Sequence, residues 1–236
     1  MSAPPTASPV VYPDSDGRQM ADNDLQYEWL TTIKGNLDDL FRDRPDVYVA
    51  GDHLIYAKEG FPKVRTAPDV YVAFGRPKGR RGSYKVWEEG GVFPQVVFEI
   101  RSPGNRAGEL GRKLAFYDRY GAEEYYLYDP DRKRLTVYTR ADRTLEVAAH
   151  LAAPPAGDGG TWVSPRLGVR LDLTGPDLVI HRPDGERFLT RAELRDRIED
   201  ERRRADQERR RAAAERAAND KLRAKLRELG LDPDTL

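Results

Sequence analysis

The run FPQVVFEIRSPGNR, residues 93–106, reads as a buried β-strand, yet it carries Glu99 inside its apolar stretch and Arg101 two residues on. A carboxylate in a low-dielectric interior is unfavourable unless it is paired or holds a cation. Whatever this chain folds into must therefore bring a partner to Glu99. Side-chain alternation puts Gln95, Val97, Glu99 and Arg101 on one face, with Val96, Phe98 and Ile100 on the other. The SPGN that follows breaks the strand and opens room beside it.

A second strand-like run, PDVYVAFG, also begins with an acid, Asp69, which shares a face with Tyr71 and Ala73. Were the two strands neighbours, about 4.8 Å apart, the two carboxylates would converge. Two hard oxygen ligands, with the Ile100 carbonyl as a third, suit Mg²⁺ or Mn²⁺. A plainer reading is equally consistent with the spacing: Asp69 caps a strand end and Glu99 pairs with Arg101.

The segment 107–120 predicts a helix ended by Gly121. Its inward arc holds Leu110, Leu114, Phe116, Tyr117 and Tyr120, and Lys113 falls inside that arc. A lysine facing a core needs an acidic partner or a polar cavity, and Asp69 and Glu99 are candidates. Such an amine could orient a water or help deprotonate it. Snorkelling, with only the stem buried, is the alternative. Arg76, Lys78, Arg80, Arg81 and Lys85 crowd the 76–85 loop with no acid among them, which suits either phosphate contact or a solvated loop.

Around these features the chain organises simply. Residues 1–21, rich in Pro, Ser and Ala, predict a disordered leader. The segment 21–41 predicts a first helix, capped by Asp22, Asn23 or Asp24, whose apolar arc of Trp29, Leu30, Ile33, Leu37 and Leu40 has Gln26 at its middle. DVYVAGDHLIYA predicts two strands joined as a hairpin at Gly51-Asp52. EYYLYDP and RLTVYTR are further strands, with weaker ones at 144–150, 161–173 and 177–182. Residues 22–189 thus predict one mixed α/β domain. Residues 190–229 predict one long charged helix, with a tail at 230–236. Heptad positions 194, 198, 222, 226 and 229 are apolar, but the middle of the seam is Glu and Ala, so a coiled-coil homodimer and a solvated helix both remain open.

The 236 residues contain no cysteine, which removes disulfides, thiolate metal sites and cysteine nucleophiles. The 40 basic and 40 acidic side chains cancel, so nucleic-acid contact would have to come from a local patch. No apolar run suits a membrane span and the N-terminus does not read as a secretory signal, so the expectation is a cytoplasmic protein without membrane association. His53, His150 and His181 have no ligand spacing, and no G-x-S-x-G elbow, P-loop or dinucleotide fingerprint is present.

The order Pro68-Asp69, then Glu99-Ile100-Arg101, resembles the PD-(D/E)XK nuclease pattern. The wider text, PDVYVAFG, RGSYKVWEEGG, PQVVFEIRSPGNR, KLAFYDRYGAEEYYLYDP and the Arg/Glu/Ala-rich end, is similar to the Uma-two family of restriction-like endonucleases, widespread in bacteria, from about residue 22 onward. That resemblance implies a restriction-endonuclease-like mixed sheet flanked by helices. It also implies a Mg²⁺- or Mn²⁺-dependent endonuclease acting on DNA. Asp69 and Glu99 match the metal-binding acids, Ile100 the carbonyl position, and Gln26 a polar first-helix residue. The pattern's usual lysine is here Arg101, which cannot act as a base but can grip a phosphate. The resemblance then assigns the amine to Lys113. Without it the chain would be a nuclease-fold DNA-binding or interaction protein, dimerised through its C-terminal helix.

Overall fold

Asn23 starts the first helix by turning its side chain back onto the Gln26 backbone N–H, which it accepts at 2.8 Å. In this computed structural model, residues 10–15, 17, 21–106 and 108–228 are described. The predicted tail at 230–236, residue 229 of the heptad seam and most of the predicted leader lie outside them. The chain divides between Phe188 and Leu189 into two units.

The first unit runs α1 (Asp24–Leu40), β1 (Val47–Gly51), β2 (Ile55–Tyr56), β3 (Arg65–Thr66), β4 (Val70–Phe74), β5 (Tyr84–Lys85), β6 (Val96–Ile100), α2 (Glu109–Tyr120), β7 (Glu124–Asp129), β8 (Arg134–Ala141), β9 (Thr144–Ala152), β10 (Thr161–Val163), β11 (Arg170–Asp172) and β12 (Val179–His181). Six strands form the central sheet in the order β1-β4-β6-β7-β8-β9. Its neighbours are antiparallel except β6 and β7, which are parallel and joined through α2. A parallel pair needs such a crossover, because no tight turn can return the chain to the same end of the sheet.

Alternation along the inner strands gives the sheet two apolar faces. Val70, Val72, Val96, Phe98 and Ile100 pack with Leu30, Ile33 and Leu37 of α1. Tyr71, Ala73 and Val97 pack on the opposite face with Tyr117 and Leu114 of α2. The sheet is thus a mixed α/β core with a helix on each side, as the sequence leads one to expect. Val96 to Ile100 are all buried, so Glu99 sits in a strand covered on both faces.

One expectation is corrected. β1 and β2 do not form a hairpin: β1 pairs with β4, whereas β2 pairs with β3 and β5 in a separate three-stranded sheet. Asp52, with φ 47, gives its N–H to the Asp69 carbonyl at 3.0 Å. The Gly51-Asp52 turn therefore extends the β1–β4 ladder. Glycine suits position 51, since a Cβ there would crowd the Asp69 carbonyl oxygen at 3.0 Å.

The second unit is described as one helix, α3 (Arg191–Glu228), with no buried residue. Thr190 and Glu193 form its capping box, the Glu193 carboxylate accepting the Thr190 N–H at 2.9 Å and the Thr190 hydroxyl oxygen the Glu193 N–H at 3.3 Å.

Candidate active site

β4 and β6 are antiparallel neighbours, with Val70 opposite Phe98. One step further along that register stand Asp69 and Glu99, both buried. The Asp69 carboxylate reaches across the strand gap and accepts the Ile100 backbone N–H at 2.5 Å. It takes the place of a ladder carbonyl, which explains why an acid is tolerated at this strand end.

Gln26, buried in the first turn of α1, closes the other side. Its amide nitrogen donates to Asp69 Oδ1 at 3.3 Å and to the Ile100 carbonyl at 3.2 Å, while its amide oxygen accepts the Asp22 N–H at 2.8 Å. A single side chain thereby ties together the Asp69 carboxylate and the Ile100 carbonyl, which the family resemblance implies as members of one ligand set.

From the other face, α2 brings two donors to Glu99. Lys113 Nζ donates to Glu99 Oε2 at 2.8 Å and to the Ala67 carbonyl at 2.8 Å. Tyr117, one turn along the same helix, donates its hydroxyl to Glu99 Oε1 at 2.5 Å. Both alternatives left open by the sequence resolve here. Lys113 is held inside by Glu99 rather than snorkelling, with a fifth of its side chain exposed. Glu99 pairs with Lys113 and not with Arg101, which is half exposed and lies 3.3 Å from Asp129 at the neighbouring end of β7.

The charges do not balance locally. Two buried carboxylates face one ammonium, and Asp69 bears the deficit. Burial, then the negative charge of Glu99, push its carboxyl up to about 8, only partly countered by Lys113, the Ile100 N–H and Gln26. For Lys113, burial pulls the ammonium down, but Glu99 and Asp69 outweigh it and hold its pKa above the usual lysine value. Lys113 is therefore held as an ammonium that donates hydrogen bonds to Glu99 and to the Ala67 carbonyl.

Two further residues belong to the site and were not singled out from the sequence. Tyr117 was assigned to the apolar arc of its helix, although its place four residues after Lys113 put both on one face. Tyr125, on β7 opposite Val97, has a buried hydroxyl with no hydrogen-bond partner, and after burial itself the charges of Glu99 and Asp69 raise its pKa. No comparable signal in the sequence marks it.

A hard divalent cation fits this chemistry. The available protein donors are two carboxylates and the Ile100 carbonyl, all oxygen. A cation would take the place of the proton that burial and Glu99 favour on Asp69, and the Tyr125 hydroxyl on the neighbouring strand is buried without a partner. Among the described residues no cluster of three His, Cys, Asp or Glu forms, so the remaining ligands would be solvent and substrate oxygens.

The predicted 76–85 loop is corrected at its end, where Tyr84 and Lys85 form β5 against β2, and its basic side chains are mostly engaged elsewhere. Arg81 pairs with Glu89 at 2.5 Å, Lys85 with Glu88 at 3.0 Å, Arg76 donates to the Glu89 carbonyl at 2.7 Å, and Lys78 to the Phe41 carbonyl at 2.6 Å. The acids lie just beyond the loop, at its C-terminal side. Arg80 is exposed. Together with Lys34 and Gly51, Lys78, Arg80 and Arg81 line a cleft of about 460 Å³ along β1, the strand beside β4. Among the described residues no helix is long and apolar enough to cross a membrane.

The family model Uma2, described as "Putative restriction endonuclease", matches residues 21–174. Among solved structures, a protein from Anabaena variabilis ATCC 29413, described as "a putative nuclease belonging to DUF820", is similar at 15% identity with a TM-score of 0.45, over 62% of this chain and 75% of that one. No curated protein matches.

Proposed function

The chain belongs to the Uma2 family of restriction-endonuclease relatives, and from that premise we propose that it is a divalent-metal-dependent DNA endonuclease whose site is Asp69, Glu99, Ile100, Lys113, Gln26 and Arg101. The observation that carries this reading is the pairing of Asp69 and Glu99 at the ends of adjacent strands, with only one ammonium between two buried acids.

Asp69, Glu99 and the Ile100 carbonyl would hold Mg²⁺ or Mn²⁺. Bound there, the ion supplies Lewis acidity toward a phosphate oxygen and makes water more acidic. The remaining work falls to the chain. Gln26 fixes the Asp69 carboxylate against the Ile100 carbonyl, so both point to one locus. Tyr117 and Lys113 clamp the two oxygens of Glu99. Lys113, kept protonated, donates to the attacking water or to the phosphate and stabilises charge that develops there. Arg101, at the strand end and half exposed, can leave Asp129 for a phosphate, because the Asp129 carboxylate keeps a second donor, the Arg132 N–H at 2.9 Å. Water oxygen attacks phosphorus and releases its proton to solvent, the P–O ester bond opposite breaks, and the departing oxygen takes a proton back from solvent.

The test is nicking of supercoiled plasmid by the full chain with Mg²⁺ or Mn²⁺. Asp69→Ala and Glu99→Ala are each expected to abolish it, and undiminished cutting by either variant would end the proposal. The competing reading, a nuclease fold that binds DNA without cutting it, rests on Arg101 standing where the family pattern has lysine. Arg101→Lys discriminates: gained cleavage shows that the position limits turnover.

A further inference from the structure

Residues 191–228 contain fourteen basic and ten acidic side chains, and their order is not random. Arg195, Arg202, Arg209, Arg216 and Arg223 recur at every seventh position. In the heptad frame with Ile198 at a, these five fill e, while Arg197, Arg204, Arg211 and Lys225 fill g. The d positions between them are Glu201, Glu208 and Glu215. The a, d, e and g positions together carry ten basic against three acidic residues; the b, c and f positions carry four against seven. The side that has the apolar remnants of a seam, Leu194, Ile198 and Leu222, all exposed, is thus the basic side.

That polarity argues against a second copy as the occupant. In a parallel pair each g residue meets the e residue five positions on in its partner. Arg197 would face Arg202, Arg204 would face Arg209, and Arg211 would face Arg216. An antiparallel pair places e against e and g against g, with the same repulsion. Three central layers would bury glutamates as well. The helix needs no partner to form: it is rich in Ala, Arg and Glu, has a capping box, and carries i,i+4 pairs such as Arg197–Glu201 and Glu199–Arg203, each at 3.4 Å.

We propose that α3 is a nucleic-acid-binding arm whose e and g arginines contact the phosphate backbone. Its successive e arginines are about 10.5 Å apart along the axis and wind about 80° around it from Arg195 to Arg223. Such a spaced, single-signed stripe suits a repeating polyanion better than one compact acidic patch. This supplies the local basic patch that a chain of zero net charge needs in order to hold DNA. It rests on the nuclease reading only for the identity of the polyanion.

The test compares two double variants of equal charge change in the full chain: Arg202→Gln/Arg209→Gln on the e stripe, and Arg203→Gln/Arg210→Gln one residue round the helix. Glutamine keeps helix propensity, and far-UV circular dichroism checks that it does. Binding to a labelled 30-base-pair duplex is measured by anisotropy across a salt series with chelator present, so that no cutting intervenes. The e-stripe variant is expected to bind at least tenfold more weakly at 0.1 M salt, with a log–log salt slope shallower by about 1.8. The other variant should stay within about twofold of the parent. Equal effects, or no duplex binding by the parent, overturn the proposal. So does a dimer in sedimentation that Ile198→Gln/Leu222→Gln dissociates. Cleavage is scored separately through Asp69 and Glu99: a chain that cuts but ignores the stripe loses only this inference, and one that binds through the stripe without cutting loses only the catalytic reading.

Discussion

Lys113 and Glu99 meet at 2.8 Å in the interior, an ammonium delivered by α2 to a carboxylate that β6 would otherwise leave stranded. Breaking a buried pair from one side costs about 3–5 kcal/mol, because the remaining charge has no water to solvate it. Lys113→Met is therefore expected to lower unfolding stability by that order in chemical denaturation and to suppress cleavage. It should also bind Mn²⁺ at least as tightly as the parent by calorimetry, since the competing positive charge is gone. A variant that is stable yet metal-blind would show that Lys113 organises the ligands instead.

Tyr117→Phe removes one hydroxyl and leaves Glu99 Oε1 without its 2.5 Å donor. The expected cost is about 1–3 kcal/mol in the same denaturation experiment. Cleavage should fall while duplex affinity, measured with chelator, stays unchanged. A fall in affinity equal to the fall in rate would place Tyr117 in substrate binding.

Asp69 sets a pH dependence. Its carboxyl is pushed up to about 8 in the folded chain, against about 4 when unfolded. Between those values the folded state keeps a proton that the unfolded state has released. Stability therefore falls as pH rises from about 4 to about 8, by at most about 1.4 kcal/mol per unit from this group, and is level beyond. Compared with Asp69→Asn in metal-free buffer, the parent should lose ground steadily across that window. Parallel pH profiles would show that Asp69 is ionised throughout.

Glu124 provides a contrast, a buried carboxylate outside the site. It accepts from Tyr126 at 2.7 Å, from Ser164 at 2.5 Å and from the Arg166 backbone N–H at 2.6 Å, tying β7 to the loop before β11. Glu124→Ala strands those donors, and about 2–3 kcal/mol of stability should go with it. The surviving folded protein should cut at an unchanged rate per active molecule. A rate loss at full folding would extend the site to this end of β7.

Arg101→Ala should change the melting temperature little, since its guanidinium is half exposed and the buried Asp129 carboxylate keeps the Arg132 N–H at 2.9 Å. Its KM for DNA should rise if the guanidinium holds phosphate. Unchanged kinetics would reduce Arg101 to a surface residue.

Much of this site was legible in one dimension. Asp69 and Glu99 stood out because an acid in an apolar strand demands an explanation, and Lys113 and Gln26 because each interrupts an apolar arc. All four converge. The 76–85 loop was less informative: its arginines and lysines look free only when read without Glu88 and Glu89, which fold back onto them. Gly51-Asp52 looked like a hairpin turn because local turn chemistry is the same whichever strand completes the ladder. That choice belonged to β4, distant in sequence.

Periodicity and the energetic cost of burying charge were enough to identify the helices, the long strands of the central sheet and the residues that needed partners, because both depend on near neighbours along the chain; the two-residue strands β3 and β5 are too short to show a period. Which partner each received was decided only by packing. Strand order set Asp69 against Glu99, the crossover through α2 gave Glu99 to Lys113 and Tyr117, and the end of β7 gave Arg101 to Asp129. Electrostatic energies depend on distances through space, and those exist only once the sheet has closed.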